Sequence, residues 1–283
     1  MLNPPHLLFL LPQVYLAALI CTKERLRAWP TGWEIVLITL AMVSAQFVGM
    51  ILNALTDRKI DEQNSRTAKR VVVTGELSRF IAWSGVLKFT VVFLFAAGML
   101  SPLALSLSFI ALLFIWAYAY TKRFTWLCHV YLGVTTSLGI PAVWIALNGQ
   151  INLFTILLFS AATLWVAGFD IVYGSQDIEF DQAHQVYSIP ARFGLKLGLK
   201  IAASVHIAAS LLWFLFGYLS GCGLWFFCGW LVISSLLAYE HYLLRGGTLE
   251  KVNTSFFTLN SLVSILLCAA TLVDRLVFIP VLG

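Results

Sequence analysis

Long apolar stretches dominate this sequence and decide what it can fold into. Hydrophobic residues make up 60% of its 283 residues and charged residues only 11%, whereas soluble domains carry about 25% charged residues. The apolar runs are continuous rather than alternating, which favours membrane-spanning helices over the strands of a barrel. We therefore expect an all-α, polytopic membrane protein in which residues 1–283 form a single transmembrane domain.

Nine of these stretches are long enough to cross a bilayer, because a spanning helix needs about 20 apolar residues. The predicted spans are residues 5–21, 33–55, 80–99, 102–120, 126–147, 152–174, 197–219, 223–243 and 254–274. The first is the least regular, since it is short and contains Pro12. It has no basic segment before it, so we expect a membrane span there rather than a cleavable signal peptide.

The connections between the spans alternate in charge. Those after the second, fourth, sixth and eighth spans are rich in Arg and Lys, whereas the others are short and mostly neutral, except for residues 23–27. By the positive-inside rule the basic connections face the cytoplasm, which predicts a multi-pass protein of the inner (plasma) membrane. Topology and anionic ligands thus explain the net charge of +5, and we expect neither a nucleic-acid partner nor an obligate protein partner.

Two acidic clusters lie at the ends of apolar stretches. They are Asn53, Asp57 and Asp61 in the first half of the chain, and Asp170, Asp177 and Asp181 in the second. Each ends in Asp-x3-Asp, so on a helix the two carboxylates of a pair share one face. Both are predicted on the cytoplasmic side and both precede a basic connection. This weak internal repeat is of the kind that builds one shared site in a membrane protein.

The chemistry of the two clusters suits Mg²⁺, which takes oxygen ligands and keeps waters and phosphate oxygens in its coordination shell. A single cluster would be better explained as solvated loop aspartates paired with neighbouring bases, but two matched clusters favour the metal. The neighbouring bases that would hold a diphosphate are Arg66, Arg70, Lys122, Arg123 and Arg192. Positive-inside topology explains any single one of these bases equally well.

Other reactive residue types give weaker signals. The five cysteines form no C-x2-C pair and are best explained as small packing residues. The five histidines are isolated and show no metal-ligand spacing, and Lys88 is more readily explained by reaching a membrane interface. The 21 Phe, 10 Trp and 9 Tyr serve mainly for packing, although aromatic faces also suit a cavity in which a carbocation forms.

Residues 53–70 and 170–181 resemble the two signatures of the UbiA superfamily of intramembrane prenyltransferases. Residues 188–194 follow the second signature as in the family, and residues 118–125 resemble its connection after the fourth helix. The resemblance covers nearly the whole chain. It is closest to the bacterial 4-hydroxybenzoate polyprenyltransferase-like branch, which includes the presumed prenyltransferases of the futalosine-type menaquinone route.

The resemblance implies a ring of nine transmembrane helices around a lipid-accessible cavity. It also implies Mg²⁺-dependent transfer of a polyprenyl group from a polyprenyl diphosphate to an aromatic acceptor for ubiquinone or menaquinone biosynthesis. By motif position, the magnesium–diphosphate residues are Asn53, Asp57, Asp61, Asp177 and Asp181, the diphosphate-holding bases are Arg66, Arg70 and Lys122, and further cavity residues that contact the substrates are Tyr118 and Asp170. Two positions depart from the family pattern, Ala54 and Gln46, and they bear on substrate affinity and acceptor identity.

The predicted reaction is electrophilic prenylation, in which a ring carbon of the acceptor attacks a cation-like allylic carbon. The five aspartates are its predicted catalytic residues, with Asp170 or Asp177 orienting the acceptor or removing its ring proton. The main alternative is a cation-coupled transporter that uses the intramembrane aspartates. A phosphotransferase of the CDP-alcohol type ranks lower, because its longer Asp-Gly-x2-Ala-Arg signature is absent.

Overall fold

The computed structural model describes residues 5–24, 29–245, Val252 and 258–277. Over this part of the chain every regular element is helical, which confirms the all-α prediction. Eight helical segments of the described residues are long and apolar enough to cross a membrane, and the first helix contributes a shorter apolar stretch, Phe9–Thr22. The predicted count of about nine spans is therefore close. Residues 25–27 of the first basic stretch and residues 254–257 of the ninth predicted span lie outside the described residues.

The helices follow one another with short connections. In chain order they are α1 (Pro5–Glu24), α2 (Gly32–Gln63), α3 (Val71–Thr74), α4 (Arg79–Leu100), α5 (Pro102–Thr121), α6 (Cys128–Ser137), α7 (Gly139–Asn148), α8 (Leu153–Gly174), α9 (Ile178–Ala183), α10 (Ile189–Leu219), α11 (Leu224–Leu243) and α12 (Asn260–Val277). Helices α6 and α7 together form one membrane crossing, broken at Leu138.

Polar residues set the starts of several long helices. The residues whose side chains accept a backbone N–H of the first turn are Thr31, Ser78, Ser101, Asn152 and Ser188. At α2 the cap is reciprocal, because Glu34 in turn accepts the backbone N–H of Thr31. Such caps satisfy N–H groups that have no partner within the helix.

The ends of α2 and α8 position the two acidic clusters. Helix α8 ends at Gly174, as predicted, whereas the end of α2 differs from the predicted span. Helix α2 continues past the predicted end at residue 55, so Asp57 and Asp61 lie on its last two turns. Helix α8 is followed by a 3₁₀ turn, Ser175–Asp177, which leads directly into α9. The second pair therefore brackets a helix start, with Asp177 before α9 and Asp181 in its first turn.

Packing contacts connect the long helices in a closed circuit. Helix α2 packs against α4 and α5, and the chain of contacts continues through α6, α8, α10, α11 and α12 to α1, which returns to α2. Gly168 on α8 allows the close approach of α10, since a Cβ there would collide with the ring of His206. Large apolar side chains such as those of Phe80, Leu87 and Leu113 remain exposed, as expected where a helix surface contacts lipid.

Candidate active site

The aspartate pairs Asp57/Asp61 and Asp177/Asp181 line one small polar chamber of about 80 Å³, together with Asn53. Its polar lining consists of Asn53, Asp57, Asp61, Asn64, Arg66, Thr67, Arg70, Lys122, Asp177 and Asp181. Residues from the end of α2, the end of α5 and the junction of α8 and α9 thus meet in one place. The structure thus brings together the five predicted metal ligands with Arg66, Arg70 and Lys122. Of the other two predicted bases, Arg123 contacts Asp57 without lining the chamber, and Arg192 lies elsewhere.

The first aspartate pair is buried against three bases. Asp57 is completely buried, and its Oδ2 atom accepts a hydrogen bond from Lys122 Nζ at 2.5 Å. Its other oxygen lies 3.4 Å from Arg123 Nη2. Asp61 Oδ2 accepts from Arg70 Nη1 at 2.6 Å. These contacts compensate carboxylates whose burial would otherwise be costly.

The second pair is tied to the connection that follows the first. Arg66 forms a bidentate ion pair with Asp177, in which Nε donates to Oδ1 at 2.9 Å and Nη2 donates to Oδ2. Asn64 also donates to Asp177 Oδ1, at 3.0 Å, and Arg66 Nη1 donates to the hydroxyl of Tyr173 at 2.8 Å. Ser188 donates to Asp181 at 2.9 Å. Asn64 and Arg66, in the connection after α2, therefore hold the start of α9 in place.

Arg66 stays cationic in this setting. Its partial burial acts to lower the pKa of the guanidinium, but its hydrogen bonds and its attraction to Asp177 and Tyr173 prevail and raise that pKa above the ordinary value. A permanently charged, planar donor is suited to bidentate binding of phosphate oxygens as well as carboxylates.

A second and much larger cavity, of about 1130 Å³, adjoins the chamber. Its lining is predominantly apolar and comes from α1 to α8 and from the connection after α2. The residues that line both spaces are Asn53, Arg66, Thr67 and Arg70. The polar chamber therefore lies beside a cavity whose apolar lining suits an apolar ligand.

Tyr118 and Asp170 line the large cavity, as do Gln46 and Ala54, the two departures from the family pattern. Tyr118 does not line the polar chamber. Asp170 is oriented by His129, whose Nδ1 lies 2.7 Å from Asp170 Oδ2. The backbone N–H of Ile189 donates to His129 Nε2 at 3.3 Å, so the ring proton sits on Nδ1 and is donated to the carboxylate.

Sequence reasoning gave no role to three of these contact residues: Asn64, Ser188 and His129. In the sequence His129 looked isolated because its partner Asp170 lies 41 residues away. No spacing rule covers such a separation.

Two other charged candidates lie elsewhere. Arg192 stacks over the rings of Trp126 and Phe193 and does not line the chamber. Lys88 is exposed and lines neither cavity, which agrees with a role at a membrane interface.

A helical membrane ring that joins a carboxylate-rich chamber to an apolar cavity defines an enzyme for amphiphilic substrates. The match to known proteins is specific: the chain belongs to the UbiA prenyltransferase family, whose model matches residues 10–262. The prediction of a membrane-embedded prenyltransferase is thereby confirmed.

Named relatives cover most of the chain. A 4-hydroxybenzoate octaprenyltransferase from Nitrosococcus oceani is 31% identical in an alignment 233 positions long, which covers 77% of this chain and 80% of the relative. The solved structure of a UbiA homolog from Aeropyrum pernix K1 superposes with a TM-score of 0.86 at 30% identity, covering 97% of this chain and 99% of the homolog. A UbiA homolog from Archaeoglobus fulgidus, solved bound to GPP and Mg²⁺, shares the fold with a TM-score of 0.70 at 20% identity, covering 96% and 97%.

Proposed function

We propose that the protein transfers a polyprenyl group from a polyprenyl diphosphate to 4-hydroxybenzoate or a related dihydroxynaphthoate, in ubiquinone or menaquinone biosynthesis. The observation that carries this proposal is the junction at which Asn53, Arg66 and Arg70 line both the polar chamber and the apolar cavity. A polyprenyl diphosphate has the same division, with a charged head and a long apolar tail. The similarity to 4-hydroxybenzoate octaprenyltransferases supports the class of acceptor.

The head of the donor would bind in the chamber. The proposed Mg²⁺ ligands are Asn53, Asp57, Asp61, Asp177 and Asp181, whose oxygen atoms fit a hard cation. When bound, Mg²⁺ would neutralise charge on the departing diphosphate.

Each base that now pairs with a carboxylate has a second use in this scheme. Arg66, Arg70 and Lys122 occupy oxygens of Asp177, Asp61 and Asp57, which are the oxygens that a metal would need. Released from these pairs, the three bases stand beside the diphosphate and hold its oxygens by charge-assisted hydrogen bonds. The positive charge of the ions and the negative charge of the diphosphate enter together, so the chamber keeps nearly the same net charge.

The acceptor would meet the allylic carbon where the large cavity adjoins the chamber. The allylic C–O bond breaks with its electron pair leaving on the diphosphate, and a ring carbon of the acceptor supplies the pair for the new C–C bond. Asp170 is the better placed carboxylate to orient the acceptor hydroxyl or take the ring proton, because it lines the large cavity. Asp177 is instead engaged by Arg66 and Asn64.

The position of the chamber disfavours the alternative of a cation-coupled transporter. Transport sites lie near the bilayer midplane, on broken helices. Here the aspartate pairs lie at the end of α2 and at the junction of α8 and α9. We place this end of the protein at the cytoplasmic face of the inner membrane, because the basic connections gather there.

Product formation by the purified protein tests the proposal. Protein in detergent or nanodiscs is supplied with polyprenyl diphosphates of several lengths and with 4-hydroxybenzoate or dihydroxynaphthoates, with Mg²⁺ or with EDTA, and products are identified by mass spectrometry. We expect a prenylated acceptor only with Mg²⁺, and its loss in Asp57→Asn and Asp177→Asn.

Matched controls are available next to both pairs. Glu62 and Glu179 are exposed neighbours of the aspartates and line neither cavity, so Glu62→Gln and Glu179→Gln should retain activity. Full activity in both folded aspartate variants would overturn the proposal.

A further inference from the structure

A second cluster of metal-binding side chains lies between α10 and α11, away from the candidate active site. It consists of His206 on α10 and of Glu240 and His241 on α11. His206 and Glu240 are buried, at 2% and 0% exposure, and His241 is half-buried. None of the three lines the polar chamber or the large cavity. Prenyl transfer as proposed above therefore makes no use of them.

The potential ligand atoms of the three side chains converge. One nitrogen or oxygen from each lies within 4.8 Å of the others. His206 Nδ1 lies 2.9 Å from His241 Nε2 and 3.6 Å from Glu240 Oε2. In a tetrahedral site with Zn–N bonds of about 2.0 Å, two ligand atoms are about 3.3 Å apart. The two observed separations bracket that value.

Hydrogen bonds outside the cluster fix how its members point. His206 Nε2 lies 3.1 Å from the carbonyl oxygen of Trp165, and because a carbonyl only accepts, Nε2 carries the ring proton. The lone pair of His206 is therefore on Nδ1, directed at the cluster. The absent side chain of Gly168 leaves room for this ring.

The carboxylate of the cluster is also oriented. Glu240 Oε1 accepts from Asn260 Nδ2 at 3.0 Å, and Asn260 Oδ1 accepts from the indole N–H of Trp165 at 2.8 Å. Partners of this kind, a backbone carbonyl for histidine and a hydrogen-bond donor for the carboxylate, are those that orient metal ligands in proteins. Trp165 on α8 thus orients both ligands. Its carbonyl oxygen accepts from His206, and its indole N–H holds Asn260, which donates to Glu240.

We propose that His206 Nδ1, His241 Nε2 and Glu240 Oε2 bind one Zn²⁺ or a similar d-block divalent cation, which links α10 to α11. Two histidines and one glutamate form a known type of zinc ligand set, with water at the fourth position. Their imidazole nitrogens select a borderline cation, whereas the oxygen-only chamber suits Mg²⁺. On metal binding, the proton that His241 Nε2 now donates to His206 Nδ1 moves to His241 Nδ1, on the half-buried side of the cluster.

Metal titration of the full-length protein tests this assignment. Protein purified without a polyhistidine tag is stripped with a chelator, freed of it, and titrated with Co²⁺, whose tetrahedral complexes absorb in the visible range. We expect one Co²⁺ per chain, displaced by one Zn²⁺, and a rise in Tm on metal binding. The Asp57→Asn/Asp177→Asn variant should bind Zn²⁺ equally well, which separates this site from the active-site proposal.

Variants of the cluster decide the outcome. His241→Gln and Glu240→Gln should bind Zn²⁺ at least tenfold more weakly and lose the rise in Tm. His184→Gln, at an exposed histidine outside the cluster, should match the wild type. His241 is only half-buried, so His241→Gln decides the question if Glu240→Gln does not fold. A wild-type protein that binds no stoichiometric metal, or a His241→Gln variant that binds as tightly as the wild type, would show that the cluster is a hydrogen-bonded network only.

Discussion

Arg66 donates hydrogen bonds to both carboxylate oxygens of Asp177, and so joins the connection after α2 to the start of α9. The two residues belong to the two acidic signatures, which are far apart in the sequence. The side chain of Arg66 lines the chamber, and in the proposed reaction the same side chain would bind the diphosphate. If the proposed reaction is correct, substitution of Arg66 should affect both stability and substrate binding.

For binding of the diphosphate, the bidentate geometry of the Arg66 guanidinium should matter more than its charge. Arg66→Lys keeps the cation but loses bidentate donation, and hydrogen bonds to charged groups contribute about 1.5–3 kcal/mol. We expect kcat/KM for the prenyl diphosphate to fall by about 10- to 100-fold, whereas Arg192→Lys, outside the chamber, should have little effect. Wild-type kinetics in Arg66→Lys would remove Arg66 from the diphosphate site.

Lys122 should stabilise the fold by compensating the fully buried Asp57. Breaking a buried ion pair costs about 3–5 kcal/mol; because Arg123 remains near Asp57, we expect Lys122→Met to cost about 2 kcal/mol. In detergent this appears as a lower Tm. Adding Asp57→Asn should restore most of the stability without restoring activity. Strictly additive losses in the double variant would mean that the pair does not couple.

His129 should act on the acceptor step through Asp170. His129→Phe removes the hydrogen bond that orients this carboxylate, so we expect a lower kcat and a higher KM for the aromatic acceptor. The KM for the prenyl diphosphate should stay unchanged, since neither residue lines the polar chamber. Initial rates measured with each substrate varied in turn make this test. Equal changes in both KM values would indicate a general structural defect.

Gly168 should be intolerant of any side chain. A methyl group there would collide with the ring of His206, whereas one at Gly32 meets no atom within 4 Å. We expect Gly168→Ala to lower stability by about 1–3 kcal/mol, the usual range for overpacking. Gly32→Ala, at the first position of α2, should leave Tm unchanged or slightly raised. Thermal unfolding of both variants in the same detergent compares the two sites.

Much of the fold follows from local sequence. Each apolar stretch is a helix because hydrocarbon leaves the backbone no other partner than itself, and caps such as Thr31 and Ser188 define where helices begin. The extension of α2 past residue 55 was not predicted, because its last turns are polar. Those turns are helical where the carboxylates of Asp57 and Asp61 meet bases from other elements.

The membership of the chamber could be predicted only in part. Asp-x3-Asp spacing indicates which carboxylates share a face, but the partner of each carboxylate depends on tertiary packing. Asp57 pairs with a base from the end of α5, and Asp170 with a histidine at the start of α6. The cluster around His206 gave no signal at all, because its ligands come from two helices and their spacing in the chain is set by a loop.

The closed circuit of helices has a consequence for how the protein is made. Helix α1 packs against α12, and Ser264 donates to the backbone carbonyl of Phe9 at 2.6 Å across that contact. The buried face of α1 is thus completed by a helix whose contact residue lies 255 residues further along the chain. Until that helix is synthesised, this face of α1 lacks its native packing partner. The circuit of helix contacts is complete only after α12 has been synthesised and packed against α1.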